Sequence, residues 1–271
     1  MRVGFIQFEP AFGDVAGNLH AMDAAIEGAG RADLLVLPEL AASGYNFTSV
    51  EEAAALSEPV PGPSTERLAA VAKRLNTFLV VGLAEAADGA RYNSAALIGP
   101  DGWIGTYRKL HLYDREKLYF APGNQGLPVF RLPLPGEPVI GMMICFDWRF
   151  PEAARGLALA GADILAHPSN LVLTLCQAAM VTRCLENRVF AITSNRTGVE
   201  DRGDHRIGFT GGSQIVDPAG VVLAAADPVN AGSAVVTIDL AESRRKAINS
   251  RNDLFGDRRV GEYGGRGQAG R

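Results

Sequence analysis

Cysteine is scarce: only Cys145, Cys176 and Cys184 occur in 271 residues. An odd count with no CxxC pair excludes a disulfide framework and a thiolate metal cage, and points to reduced thiols. Long apolar runs are also missing. The stretches 34–37 and 139–145 fall far short of the ~20 residues that a membrane-spanning helix needs. Arg2 is followed by Gly4, Gln7 and Glu9 rather than by an apolar leader, so no secretory signal and no membrane association are expected, and the expected compartment is the cytoplasm. A basic excess is absent, with 26 Lys and Arg against 30 Asp and Glu for a net charge of −4, which argues against a nucleic-acid partner. The four histidines (His20, His111, His167, His205) show no HExxH and no ligand spacing, and no GxxxxGK[ST] occurs, so neither a metal nor another cofactor is expected. What the chain does have is 47% hydrophobic and 21% charged residues, the balance of a globular protein with a large core.

The pattern opens with a strand at 3–8, a helix at 17–30 and a strand at 34–37. A helix from Ser64 as N-cap to about Asn76 follows, then strands at 78–83 and 92–98 that lead into a turn at Gly99-Pro100-Asp101-Gly102. After a proline-rich connection at 127–138 the order returns: strand 139–145, helix 151–160, strand 163–166, helix 175–188, strand 190–194 and a hairpin turning at Asp217-Pro218-Ala219-Gly220. Ala32-Asp33-Leu34-Leu35-Val36-Leu37-Pro38 reads like Ala162-Asp163-Ile164-Leu165-Ala166-His167-Pro168, roughly 130 residues on, so the chain reads as internally duplicated. Helices on one face of each sheet leave the other face apolar. Stacking the two sheets buries both faces, and the expected fold is a four-layer α-β-β-α sandwich of the α/β class with a pseudo-two-fold. One domain over 1–248 follows, with halves of about 1–126 and 139–248 and an extended tail over 249–271.

Cys145 closes an apolar run and precedes Phe146-Asp147-Trp148-Arg149-Phe150-Pro151, where Pro151 suits the first position of a helix. A turn from strand to helix can expose a nucleophile and aim backbone N–H groups at it, although a small buried hydrophobe is the commoner fate of a free cysteine. Glu39 follows the strand 34–37 behind Pro38, at the same rim of the sheet or as a solvated loop residue. Lys109 lies in Tyr107-Arg108-Lys109-Leu110-His111-Leu112, which taken singly reads as a wet edge. Glu116, in Asp114-Arg115-Glu116-Lys117, reads singly as solvated.

Taken together, these words resemble the signature segments of the nitrilase superfamily of carbon–nitrogen hydrolases. Pro38-Glu39, the segment around Lys109, and Ile144-Cys145-Phe146-Asp147 with Phe150-Pro151-Glu152 carry the likeness, which continues through His167-Pro168-Ser169-Asn170 and the Arg183 helix to Arg258-Arg259. The resemblance implies a Glu39, Lys109 and Cys145 triad with Glu116 as a second carboxylate. It implies attack by Cys145 on an sp or sp² carbon, Glu39 as the base, and an oxyanion held by Lys109 and the backbone N–H of Phe146. Tyr45, Phe47, Trp148, Arg149, Pro168 and Asn170 are the candidate substrate contacts, since each falls in a strand-end loop; they read equally as packing residues. His111 and His167 are expected to make structural hydrogen bonds near the site, and Cys176 and Cys184 to pack. The implied substrate is a small amide, converted to acid and ammonia through a thioester, with a small nitrile or an N-carbamoyl compound as alternatives. A silent binding protein using Cys145 as a redox sensor is the alternative of another class. The implied assembly is a homodimer or higher homo-oligomer through the helices 151–160 and 175–188 and the tail.

Overall fold

The structure, a computed structural model, describes residues 1–263; the end of the expected tail, 264–271, lies outside the described residues. In chain order the first half holds β1 (Arg2–Gln7), α1 (Val15–Gly28), β2 (Leu34–Val36), α2 (Val50–Leu56), α3 (Pro63–Leu75), β3 (Phe78–Ala87), β4 (Ala90–Gly99), β5 (Gly102–Arg108) and the short α4 (Glu116–Tyr119). The second half holds β6 (Val129–Arg131), β7 (Val139–Met142), a 3-10 turn (Cys145–Arg149), α5 (Pro151–Leu159), β8 (Ile164–Pro168), α6 (Cys176–Asn187) and β9 (Phe190–Ser194). The chain then makes β10 (Val199–Arg202), β11 (His205–Gly208), β12 (Gln214–Val216), β13 (Val222–Ala225), β14 (Gly232–Thr237), α7 (Ala241–Arg244) and α8 (Val260–Tyr263).

Two six-stranded sheets run β14-β1-β2-β3-β4-β5 and β13-β12-β9-β8-β7-β6. In each, three parallel strands are flanked by antiparallel neighbours, so β1-β2-β3 corresponds to β7-β8-β9. The duplication extends to single bonds. Asp33 donates its N–H to Arg2 O and takes the N–H of Arg2 on its side chain, while Asp163 does the same with Val139. These are the aspartates of the repeated words.

Strand residues alternate between two cores, because successive side chains of a strand point to opposite faces. Val3, Phe5, Leu34, Val36, Phe78 and Val80 meet Ile140, Met142, Ile164 and Ile192 between the sheets. Ile6, Leu35, Leu37, Leu79 and Val81 pack instead on Leu19, Met22 and Ile26 of α1 and Leu68 and Val71 of α3. Burial of both faces explains why the parallel strands read as continuous apolar runs. α5 and α6 cover the second sheet, which completes the α-β-β-α order.

Several expectations shift in detail. The connection 127–138 contains the edge strand β6, and β14, which pairs antiparallel with β1 across 230 residues of sequence, has no local signal that announces it. The strand before Cys145 stops at Met142, and α3 begins at Pro63 behind Gly62 rather than behind Ser64. The tail is only partly extended: Ala247 bridges to Asp253 and 260–263 form a helical turn.

Candidate active site

Glu39, Lys109 and Glu116 converge because the ends of β2 and β5 and the start of α4 do. Glu39 follows β2, in a turn where Leu40 takes φ +48°. That turn lies directly on β3: a Cβ at Gly82 would come within 2.4 Å of Glu39 Cα. Lys109 follows the last residue of β5, and Glu116 opens α4. All three are buried, contrary to the solvated readings of Lys109 and Glu116. Lys109 Nζ donates to Glu39 Oε1 at 2.6 Å and to Glu116 Oε1 at 2.7 Å. Asn93 Nδ2 adds a second donor to Glu39 Oε1 at 2.7 Å, and the Tyr45 hydroxyl donates to Glu116 Oε1 at 2.7 Å. Each carboxylate thus has one oxygen with two donors, while Glu39 Oε2 and Glu116 Oε2 are buried with no partner among the described residues.

Cys145 opens the 3-10 turn with φ +41°, a left-handed conformation rare for a residue with a Cβ. Its carbonyl accepts from His167 Nε2 at 2.9 Å. Burial lowers His167 to about 4, so the imidazole is neutral at physiological pH, and bonding to a carbonyl places its proton on Nε2. Burial, then the Glu39 carboxylate, push the Cys145 thiol well above its usual range, with Lys109 opposing them. Burial works against the charge of Lys109, but Glu116 and Glu39 outweigh it and keep the ammonium. Burial raises Glu116 to about 7 against the pull of Lys109. The arrangement is a protonated thiol, a fixed cation and two carboxylates, so a base must take the thiol proton as sulfur attacks.

A cavity of about 280 Å³ is lined by Tyr45, Phe47, Tyr113, Glu116, Tyr119 and the β10–β11 hairpin, among others. Cys145, Phe146, Trp148 and Asn170 line a smaller crevice that shares Tyr113 and Val172 with it. Asn170 Nδ2 also donates to Glu39 O at 2.9 Å. Pro168 is the last residue of β8, a strand end as expected, buried and paired with Ser194. Arg149, the last residue of the 3-10 turn, is exposed, its guanidinium lying 5.4 Å from the Trp148 ring. Neither residue lines the two cavities.

Asn93, Asp147 and the β10–β11 hairpin escape sequence reading. Asn93 sits inside a strand pattern, and only its burial between Glu39 and Lys109 marks it. The hairpin is tied across the halves by Glu200, whose carboxylate accepts from the backbone N–H of Tyr45 and Asn46 and pairs with the fully buried Arg196. Glu200 therefore holds the loop that carries Tyr45 to Glu116. Among the described residues no cluster of His, Cys, Asp or Glu is arranged to hold a metal ion, and no helix is long and apolar enough to cross a membrane.

The chain is similar to known proteins in sequence and in fold. The family model for carbon-nitrogen hydrolases matches residues 2–247. A nitrilase of Pyrococcus abyssi is 43% identical over 266 residues, covering 97% of this chain and 99% of the relative. An (R)-stereoselective amidase of Pseudomonas sp. is 34% identical, covering 96% and 92%. The amidase of Nesterenkonia sp. AN1, 27% identical, superposes with a TM-score of 0.78 over 97% of this chain and 95% of its own. The structure compared is of a mutant carrying the acetamide moiety of fluoroacetamide on its active-site cysteine.

Proposed function

Because the chain belongs to the carbon–nitrogen hydrolase family and is similar to an amidase with an active-site cysteine, we propose that Cys145, Glu39, Lys109 and Glu116 form its catalytic group and that it converts a small amide to acid and ammonia. The observation that carries this reading is the bonding of Glu39. Two donors occupy its Oε1, and Oε2 is left to take a proton.

Glu39 removes the thiol proton as Sγ of Cys145 attacks the carbonyl carbon. The oxyanion accepts from Lys109 Nζ and the N–H of Phe146; loss of one such donor typically costs about 10²–10³ in rate. Glu39 returns the proton to the leaving nitrogen, the C–N bond breaks and ammonia departs, leaving a thioester on Cys145. Water then attacks the thioester and gives a proton to Glu39. The tetrahedral adduct collapses to the acid, and sulfur leaves as the thiol after taking that proton back. Glu116 holds Lys109 and orients the substrate. Tyr45, Phe47, Trp148 and Asn170 surround the substrate.

A nitrile is the second reading, favoured by the 43% identity to a nitrilase. The nitrile carbon would receive the same sulfur, and two waters would be consumed for each ammonia released. A panel of small amides, N-carbamoyl compounds and nitriles, scored by ammonia release, tests the ranking. Amide turnover that vanishes in Cys145→Ala is expected; nitrile turnover without amide turnover would reverse the order, and turnover by Cys145→Ala would sink the mechanism.

Three free buried thiols support a cytoplasmic setting. The shared core supports 1–248 as one domain, and an apolar outer face on α6 supports a homodimer.

A further inference from the structure

The Asp147 carboxylate is fully buried and accepts four hydrogen bonds. Ile144 N–H and the Tyr107 hydroxyl donate to Oδ2 at 2.8 and 2.7 Å. His111 donates to Oδ1 twice, from its backbone N–H at 3.2 Å and from Nδ1 at 2.7 Å. The His111 ring is itself held by stacking on Phe150, with centroids 3.6 Å apart. Two donors therefore flank Lys109 in sequence, two residues before and two after it, and a third immediately precedes Cys145. The Tyr107 hydroxyl also accepts from Leu110 N–H at 3.1 Å, which draws a further residue of the lysine segment into the same knot.

We propose that Asp147 is a positioning residue that sets Cys145 and the Phe146 amide against Lys109, joining the two halves of the oxyanion site through one carboxylate. Two requirements lead there. The positive φ of Cys145 is a strained conformation that persists only where its surroundings over-determine it. The bond from Ile144 N–H to Asp147 closes the turn round Cys145 from one side, and His167 holds the Cys145 carbonyl from the other. Secondly, the two oxyanion donors come from different sheets, Lys109 after β5 and Phe146 after β7, so their separation is a tertiary quantity. Phe146 lies between Cys145 and Asp147, and what fixes Asp147 fixes the direction of its N–H. Burial, then the Asp147 charge, raise Tyr107 well above the usual phenol range, keeping its hydroxyl a donor.

Asparagine is close in shape but cannot replace this group. Either orientation of its amide turns an NH₂ toward two donors. The proposal rests on the catalytic roles given above, so its test has one readout that needs no turnover. In Asp147→Asn, kcat for a hydrolysed amide should fall about 10²-fold, the scale of a lost or misplaced oxyanion donor, with KM within about threefold. Alkylation of Cys145 by iodoacetamide, followed by mass against pH, should move its midpoint upward, because Lys109 is the cation that lowers this thiol. Tyr107→Phe deletes one of the four bonds. It should show the same pattern more weakly, and the double variant should be no slower than Asp147→Asn alone. A purely structural Asp147 would lower the melting temperature yet leave kcat per titrated site and the alkylation midpoint at wild-type values, which would overturn the proposal. If Asp147→Asn does not fold, an unshifted alkylation midpoint in Tyr107→Phe decides against it in the same way. Should wild type hydrolyse none of the panel, the catalytic reading fails, while the alkylation midpoints still judge Asp147.

Discussion

Burial decides what each residue of the site can do. Glu116 stands in a run of charged residues that reads as solvated, yet its carboxylate is buried beside Lys109 and raised to about 7. We expect kcat/KM to rise with pH through about 7 as Glu116 loses its proton. In Glu116→Gln that limb should disappear, with a loss of about 10²-fold at the optimum. Stability should move the opposite way. A carboxyl raised on folding contributes most below its unfolded value and loses that contribution as pH climbs through about 7. The melting temperature of Glu116→Gln relative to wild type should therefore increase between pH 5 and pH 8. A constant difference over that range would show that burial does not govern Glu116.

At the scale of elements, the site is a set of strand ends whose spacing depends on backbone contact. Gly82 lies inside the apolar run of β3, and a glycine inside a strand marks a bulge or a close approach. Here it is close approach, with Glu39 Cα and Leu40 N taking the space of a side chain. Gly82→Ala must push the Glu39 turn away. We expect about 1–3 kcal/mol of lost stability by denaturant unfolding and a fall in kcat of about 10²-fold, since displacements near 1 Å carry costs of that size. Wild-type kcat in this variant would mean that the Glu39 turn yields without moving its carboxylate. Most helices and the parallel strands are legible from periodicity, with ends within two residues except at β3, which runs four residues further, and β7, which stops three residues short. β6, β14 and the β10–β11 hairpin are not, because short strands with partly exposed faces carry little apolar alternation, and what secures them is context. β14 pairs with β1 from the far end of the chain, and the hairpin is anchored by Glu200 on Tyr45 and Asn46.

Across the whole molecule, the outer layer of the second half exposes apolar side chains. On α6, Leu185 is 53% exposed, and the turn at Gly220 packs against Val181 and Leu185, carrying Val221 and Val222, also exposed, to the same face. A contiguous apolar face on an outer helix suits burial against a second copy. Sedimentation should give at least twice the mass of one chain, and Leu185→Asp should shift the protein toward the single-chain mass while leaving its melting curve cooperative. A wild-type protein that sediments as one chain at micromolar concentration would remove this surface from consideration.

The sequence by itself determined the layers and their doubling, because alternation, apolar runs and a repeated strand word are local quantities that follow from side-chain chemistry and strand period. It also supplied Glu39, Lys109, Glu116 and Cys145 as candidates, through the words around them. Only the tertiary structure decided that Glu39, Lys109 and Glu116 share two short hydrogen bonds in a buried interior, that Arg149 turns outward, and that Asn93 bonds to Glu39 and Glu200 to the Tyr45 loop. Those outcomes depend on distances between strand ends far apart in the chain. Such distances are set by how two sheets pack, and no local pattern encodes them.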